Sequence, residues 1–267
     1  FNVTMTLIWL PLLPIMVRIV KFIIRGDDEK AFELGKPQFL DEGSLWNPEA
    51  AILLVSKEIN HCATCVSSLI DSTSDKIAGT KPAIDQRTFE EWHTAVGSLN
   101  GAISSYVGKL FTGGGLSDKQ ANQVVGLMFV AHNIGRISDR CNDIDALNTK
   151  LSHNKMRLSD NAVSDLTNYL CSIKALFGDA ISALNNSDHQ RAQQVLHEKD
   201  EIVRASKSIN KSHLKRVQEG ECNEAMTTDY MDVVYCMDRA ADNCASIAEE
   251  ALEDTIHAEL EEITEHS

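Results

Sequence analysis

The chain contains a copy of part of itself. Slid along its own length by 103 residues, Arg136 falls on Arg239, Asp139 on Asp242, Cys141 on Cys244 and Ile144 on Ile247. Met128 also meets Met231, and Val130 meets Val233. Six of the nineteen positions from Gly126 to Ile144 are therefore identical, where chance gives about one. Such a repeat restricts the fold to two like units, each built from the segments that fit inside one period.

Hydrophobic spacing identifies those segments as helices. Asn47-Pro48-Glu49 reads as an N-cap, a first-turn proline and a first-turn acid. Ile52, Val55, Ile59, Cys62, Val66 and Leu69 then recur in steps of three and four, one apolar seam of a helix. The polar run Ser72–Pro82 is expected to be a turn. A second helix carries Phe89, Trp92, Val96, Leu99, Ile103, Tyr106 and Leu110, and Thr112–Gly115 breaks it. Ser117 and Gln120 resemble a capping box at the start of a third, which carries Leu127, Val130, Ile134, Ile137, Cys141 and Ile144.

The fourth helix carries Val163, Leu166, Leu170, Ile173, Phe177, Ala180 and Leu184, and stops at Asn185-Asn186-Ser187. A fifth, Asp188–Gln218, is polar, with a thin seam of Val195, Ile202 and Ile209. The last helix carries Tyr230, Val233, Met237, Ala240, Cys244 and Ile247. No stretch after the first segment alternates with period two over a convincing length. The expected fold is all-α: two tandem antiparallel three-helix bundles at residues 47–150 and 155–262, joined near Leu151–Leu158.

The beginning of the chain is different. Residues 1–17 carry no charge, and Arg18, Lys21 and Arg25 follow among further apolar residues. About 20 apolar residues are needed to span a bilayer, so residues 1–25 read as the end of a transmembrane helix and 26–46 as a linker. The basic flank places everything beyond it in the cytoplasm. A signal peptide fits badly, because the positive charges lie after the apolar run and no small-residue cleavage site follows.

A net charge of −14 leaves no basic stripe for phosphates and argues against nucleic acid. The seven cysteines are scattered apart from Cys62 and Cys65, a C-x-x-C spacing inside a helical pattern with no second pair to complete a zinc site. They read as small buried hydrophobes of a reducing compartment.

On the last helix the seam runs through positions 233, 237, 240 and 244, so Asp238, Arg239 and Asp242 face away from it. Arg136 and Asp139 take the same side of the third helix. Core residues recur because both units need a core. Outward residues lack that reason, so their recurrence points to a binding surface or to incomplete divergence of two copies. Asp238 and Asp242, one turn apart, repel by a few tenths of a kcal/mol, and a bound cation would reverse the sign. The same D-x-x-x-D also describes a solvated face on which Arg239 forms a local ion pair.

Asp238-Arg239-Ala240-Ala241-Asp242, followed by Asn243-Cys244-Ala245-Ser246-Ile247-Ala248-Glu249, resembles the E/D-x-x-x-D signature of PhoU-like domains. The likeness extends to Ser212-His213-Leu214-Lys215-Arg216. Near the front it covers Phe39-Leu40-Asp41 and Asn47-Pro48-Glu49-Ala50-Ala51. Phe1-Asn2, Leu10-Pro11 and the basic flank resemble the last membrane helix of the bacterial sodium/phosphate cotransporter family, in which a PhoU-like domain follows that helix directly.

The resemblance implies tandem three-helix bundles forming a cytoplasmic regulatory domain at the inner membrane. It would act on a sodium-driven phosphate importer whose sodium and phosphate sites lie in membrane segments outside this chain. A second copy of the chain is a further partner. It also implies metal clusters, of divalent or iron type, on the outer bundle surfaces. Asp238 and Asp242 would be ligands in the second bundle, with Glu198 and Glu201 of the fifth helix as further ligands. The first motif has Gly135 where the family has an acid, so Asp139 alone remains there.

Three other readings compete. A di-iron bundle enzyme needs two inward E-x-x-H motifs; only Glu90–His93 has that spacing, and no P-loop, G-x-S-x-G or H-E-x-x-H is present. A free-standing PhoU-type adaptor of phosphate signalling, with the first segment as a mere anchor, is the second. A membrane-tethered signalling or coiled-coil module is the third, and the seams are too short and too often broken for a long coiled coil.

Overall fold

The computed structural model describes residues 35–113, 115–153 and 157–265, with side chains in the last helix as far as Glu253. The expected membrane segment, 1–25, and residues 26–34 of the expected linker lie outside the described residues. Among the described residues no helix is long and apolar enough to cross a membrane. Six α-helices and two short 3-10 turns are present there, and no strand. The helices are α1 (Pro48–Ala78), α2 (Gln86–Thr112), α3 (Asp118–His153), α4 (Asp160–Asn186), α5 (His189–Gln218) and α6 (Thr227–Glu265).

Their starts follow from local chemistry. Asn47, Asp85, Ser159 and Asp188 each accept a hydrogen bond from a first-turn amide, satisfying a donor that the helix itself leaves bare. At α3 the capping box is reciprocal: the Gln120 amide donates to Ser117 Oγ at 3.3 Å, and the Ser117 amide donates to Gln120 Oε1 at 3.0 Å. One end departs from expectation. Ser72–Pro82 is not a turn throughout, because α1 runs on to Ala78 and stops at Gly79, whose φ of 68° suits a residue without Cβ. Ser72 and Thr73 are buried in the helix, and the Thr73 hydroxyl donates to the Leu69 carbonyl at 2.8 Å. A side-chain hydroxyl satisfied by its own helix does not end it.

Helices α1, α2 and α3 pack on one another, as do α4, α5 and α6. The two units then join along α1 against α4 and α3 against α6, and α3 meets α6 more extensively than any helix of its own unit. The core consequently runs through both units as one cluster, from Val55, Ile59 and Leu69 through Ile134 and Ile137 to Ile173, Met237 and Ile247. Complete burial of each such side chain contributes about 1.5–3 kcal/mol. Cys141 and Cys244, the residues related by the sequence repeat, are neighbours at this junction. Polar contacts lock its rim: Lys174 Nζ reaches Asp71 Oδ1 at 2.5 Å, and Asn60 and Asn185 exchange amide hydrogen bonds at 2.9 and 2.7 Å. The repeated motifs thus lie on the two central, most confined helices, while α2 and α5 are the outer ones.

The entry segment is fastened down. The Phe39 amide donates to Glu58 Oε2 at 2.8 Å, and the Tyr106 hydroxyl donates to the Asp41 carbonyl at 2.8 Å, tying residues 39–41 to α1 and α2.

Candidate functional site

The acids of the last helix lie in the groove where α6 meets α5, with α4 below. Asp238 is not on an open outer surface as its seam position suggests. It is half-buried: its Oδ1 accepts a short hydrogen bond from the Tyr169 hydroxyl of α4, and the Ser206 hydroxyl of α5 lies 3.3 Å from Oδ2. Tyr169 and Ser206 are themselves buried. A helical wheel drawn for α6 alone assigns two sides, core and solvent. With two neighbours packed against it, a position off the apolar seam still ends between helices. Burial, and then the donation to Asp238, push the Tyr169 hydroxyl well above its ordinary value and keep it a donor.

Asp242, one turn further, is 35% exposed and carries two cations. Lys199 Nζ of α5 stands 3.0 Å from Oδ1, and Arg239 Nη1 of α6 stands 3.2 Å from Oδ2. Arg239 also lies over the Tyr235 ring, 5.2 Å from its centroid.

The first unit builds a corresponding arrangement that keeps the arginine and one aspartate and changes the rest. Positions 135 and 139 of α3 stand where 238 and 242 stand on α6. On α2, His93 faces Asp139, with Nε2 3.9 Å from Oδ1, and Asn100 faces Gly135. A Cβ at Gly135 would lie 2.2 Å from Asn100 Nδ2, so the carboxamide fills the space that the acid takes in the second unit. His93 Nδ1 pairs with the buried Ser138 hydroxyl at 3.0 Å, and Arg136 Nε donates to His132 Nε2 at 2.9 Å. Together these residues line a cleft of about 260 Å³ between α2 and α3. His93 and Lys199 are 106 residues apart, and so are Asn100 and Ser206. The duplication therefore reaches the outer helices, where at this offset identity is sparse: Ile103 falls on Ile209 and Lys109 on Lys215. The signal that could have found it is the spacing itself: two polar residues seven apart on each outer helix, one face of it.

The remaining expected ligands have other partners. Glu198 accepts from Gln194 Nε2 at 2.7 Å, and Glu201 lies 3.7 Å from His197 Nε2, both partners on their own helix. Asp139 is 56% exposed, with His93 beside it. Among the described residues no three His, Cys, Asp or Glu side chains converge as metal ligands do. The donor set in the second unit does not suit a metal ion: one carboxylate is held by two neutral hydroxyls, the other by an ammonium and a guanidinium.

Cys62 and Cys65 are buried and free, and burial pushes the Cys62 thiol up to about 12, far from the thiolate that redox or metal chemistry requires. A second polar cluster, not foreseen, closes the far end of the second unit. His213 is 1% exposed and stacks on Tyr230 with ring centroids 4.0 Å apart, while Arg216 Nη1 meets Asp165 Oδ2 at 2.9 Å. His213 and Arg216 belong to the Ser212–Arg216 stretch singled out above.

Residues 172–251 match the PhoU domain family. No curated protein is significantly similar to the chain in sequence. Among solved structures, PhoU from Pseudomonas aeruginosa is similar over 80% of this chain and 98% of its own, with a TM-score of 0.66 at 12% identity. The phosphate transport system regulatory protein PhoU from Streptococcus pneumoniae is similar over 76% of this chain and 96% of its own, with a TM-score of 0.60 at 16% identity. At such identities the likeness is one of fold, and the fold of this chain is PhoU-like.

Proposed function

We propose that this chain is a non-catalytic regulator of phosphate uptake, the cytoplasmic PhoU-like part of a sodium-dependent phosphate transporter at the cell membrane. The observation that carries the regulatory reading is the PhoU domain match over α4–α6 within a PhoU-like fold. The transporter reading adds the apolar residues 1–17 with their basic flank. Residues 39–41, within the expected linker, are clamped to α1 and α2. A displacement of the helical units would therefore be passed to whatever precedes residue 35. Partners in this reading are the membrane domain of the transporter, which holds sodium and phosphate, and a second copy of the chain.

The test is uptake of radiolabelled phosphate by the source cells with and without the coding region for residues 47–262. Loss of the response to external phosphate, seen only when sodium is present, is the expected result. Uptake that ignores both the deletion and the exchange of sodium for choline would end this reading. A phosphate response lost equally in choline favours the second reading, a free-standing PhoU-type adaptor. The DNA upstream of Phe1 separates the two independently: spanning segments in frame support the transporter, and a start codon just before Phe1 supports the adaptor.

A further inference from the structure

We infer that the acidic groove of the second unit carries its counter-cation within the chain, with Lys199 Nζ on the Asp242 carboxylate that a metal ion would otherwise take. Three observations converge on this. Lys199 is only 26% exposed, and its ammonium lies 3.0 Å from Asp242 Oδ1, directed into the groove rather than to solvent. Arg239 Nη1 reaches the other oxygen of the same carboxylate, so each of its two oxygens already faces a cation. The paired site of the first unit places a nitrogen base, His93, at the equivalent position on its outer helix. In both units, then, the outer helix offers the acid a nitrogen group and not another carboxylate.

Charge arithmetic explains the consequence. Asp238, Asp242, Lys199 and Arg239 sum to zero, and the Asp200 carboxylate, 3.9 Å from the same ammonium, is 70% exposed and screened by solvent, so a divalent ion entering the groove meets little net attraction and must displace an ammonium. Removing the lysine charge leaves the local sum at minus one, and reversing it leaves minus two, with a third oxygen ligand for a hard cation. The groove is thus a latent metal site closed by one side chain, which the PhoU-like fold alone does not reveal.

The test uses Mn²⁺ and the full chain, reading bound ion as loss of the free Mn²⁺ paramagnetic resonance signal. Wild type should bind no stoichiometric Mn²⁺ that depends on Asp242. Lys199→Met should gain binding, and Lys199→Glu should bind at least about tenfold tighter than wild type. Adding Asp242→Asn to either variant should abolish the gain. Circular dichroism confirms that each variant is folded, and the two replacements at position 199 guard against loss of one. The inference is overturned by stoichiometric binding to wild type that Asp242→Asn removes. It is equally overturned if a folded Lys199→Glu protein binds no more Mn²⁺ than wild type. Either result leaves the phosphate-uptake reading standing, because that reading is tested by transport and not by metal content.

Discussion

Lys199 stands against Asp242 as His93 stands against Asp139, 3.0 Å in one unit and 3.9 Å in the other. Seven residues on, Ser206 closes on Asp238 and Asn100 closes on Gly135. The two halves of the chain hold four corresponding positions, keep an aspartate at one of them and fill the other three with different chemistry.

That equivalence is testable by exchange. Gly135→Asp forces a side chain into the space of the Asn100 carboxamide and should destabilise the protein by about 1–3 kcal/mol. Asn100→Ser, which reproduces the Ser206 and Asp238 pair in the first unit, should recover most of that loss when combined with it. Urea unfolding of the two single variants and the double variant measures the coupling. Strict additivity would show that the two positions do not correspond.

The Tyr169 hydroxyl is the main neutral donor to Asp238. Tyr169→Phe keeps the ring packing and leaves a half-buried carboxylate oxygen short of a partner. A hydrogen bond to a charged group contributes about 1.5–3 kcal/mol, so the urea midpoint should fall accordingly, with the slope unchanged. An unaltered midpoint would mean that solvent replaces the hydroxyl freely.

His213 makes stability depend on pH. Burial, and then the charge of Arg216, hold its pKa below the ordinary 6.5. The groups around it are Arg216, with Asp165 as its partner, and Tyr230. The unfolded chain therefore takes up the proton first as pH falls. Stability from this residue is complete above about 6.5 and is lost on acidification through the lower, folded value. Unfolding midpoints should drop between pH 7 and pH 5 in the wild type. His213→Phe, which preserves the stacking on Tyr230, should flatten that part of the curve. The same slope in both proteins would assign the effect elsewhere.

Thiol accessibility reports on the junction between the units. Cys171 is exposed and Cys222 half-buried, whereas Cys62, Cys65, Cys141, Cys236 and Cys244 are buried. An aromatic disulfide reagent should titrate Cys171 first and Cys222 more slowly. The other five should react only on unfolding and together, because one continuous core joins both units. Early reaction of Cys62, Cys65 and Cys141, with Cys236 and Cys244 still protected, would show that the first unit opens independently.

The helical class, the period of the duplication, the caps at Asn47, Ser117 and Asn185–Ser187, and the seams of α1, α2, α4 and α6 were all legible in the residues. Each depends on interactions within four positions of the chain or on identity between distant copies. The length of α1 was misjudged because the polar Ser72 and Thr73 look like a turn until neighbouring helices bury them. The polar α5 was read correctly as a helix with a thin seam, but the seven-residue spacing of Lys199 and Ser206 stands out among its many polar residues only beside that of His93 and Asn100 on α2.

The residues alone therefore determined what is local or repeated: six helices, two like units and a pair of acids one turn apart. Only the packing of α6 between α4 and α5 decided what those acids face. Rotational register between helices is set by how whole side-chain surfaces interlock, a sum over many contacts distant in sequence. No periodicity in one helix contains that sum, so the lysine beside Asp242 and the tyrosine beside Asp238 emerge only from the assembled core.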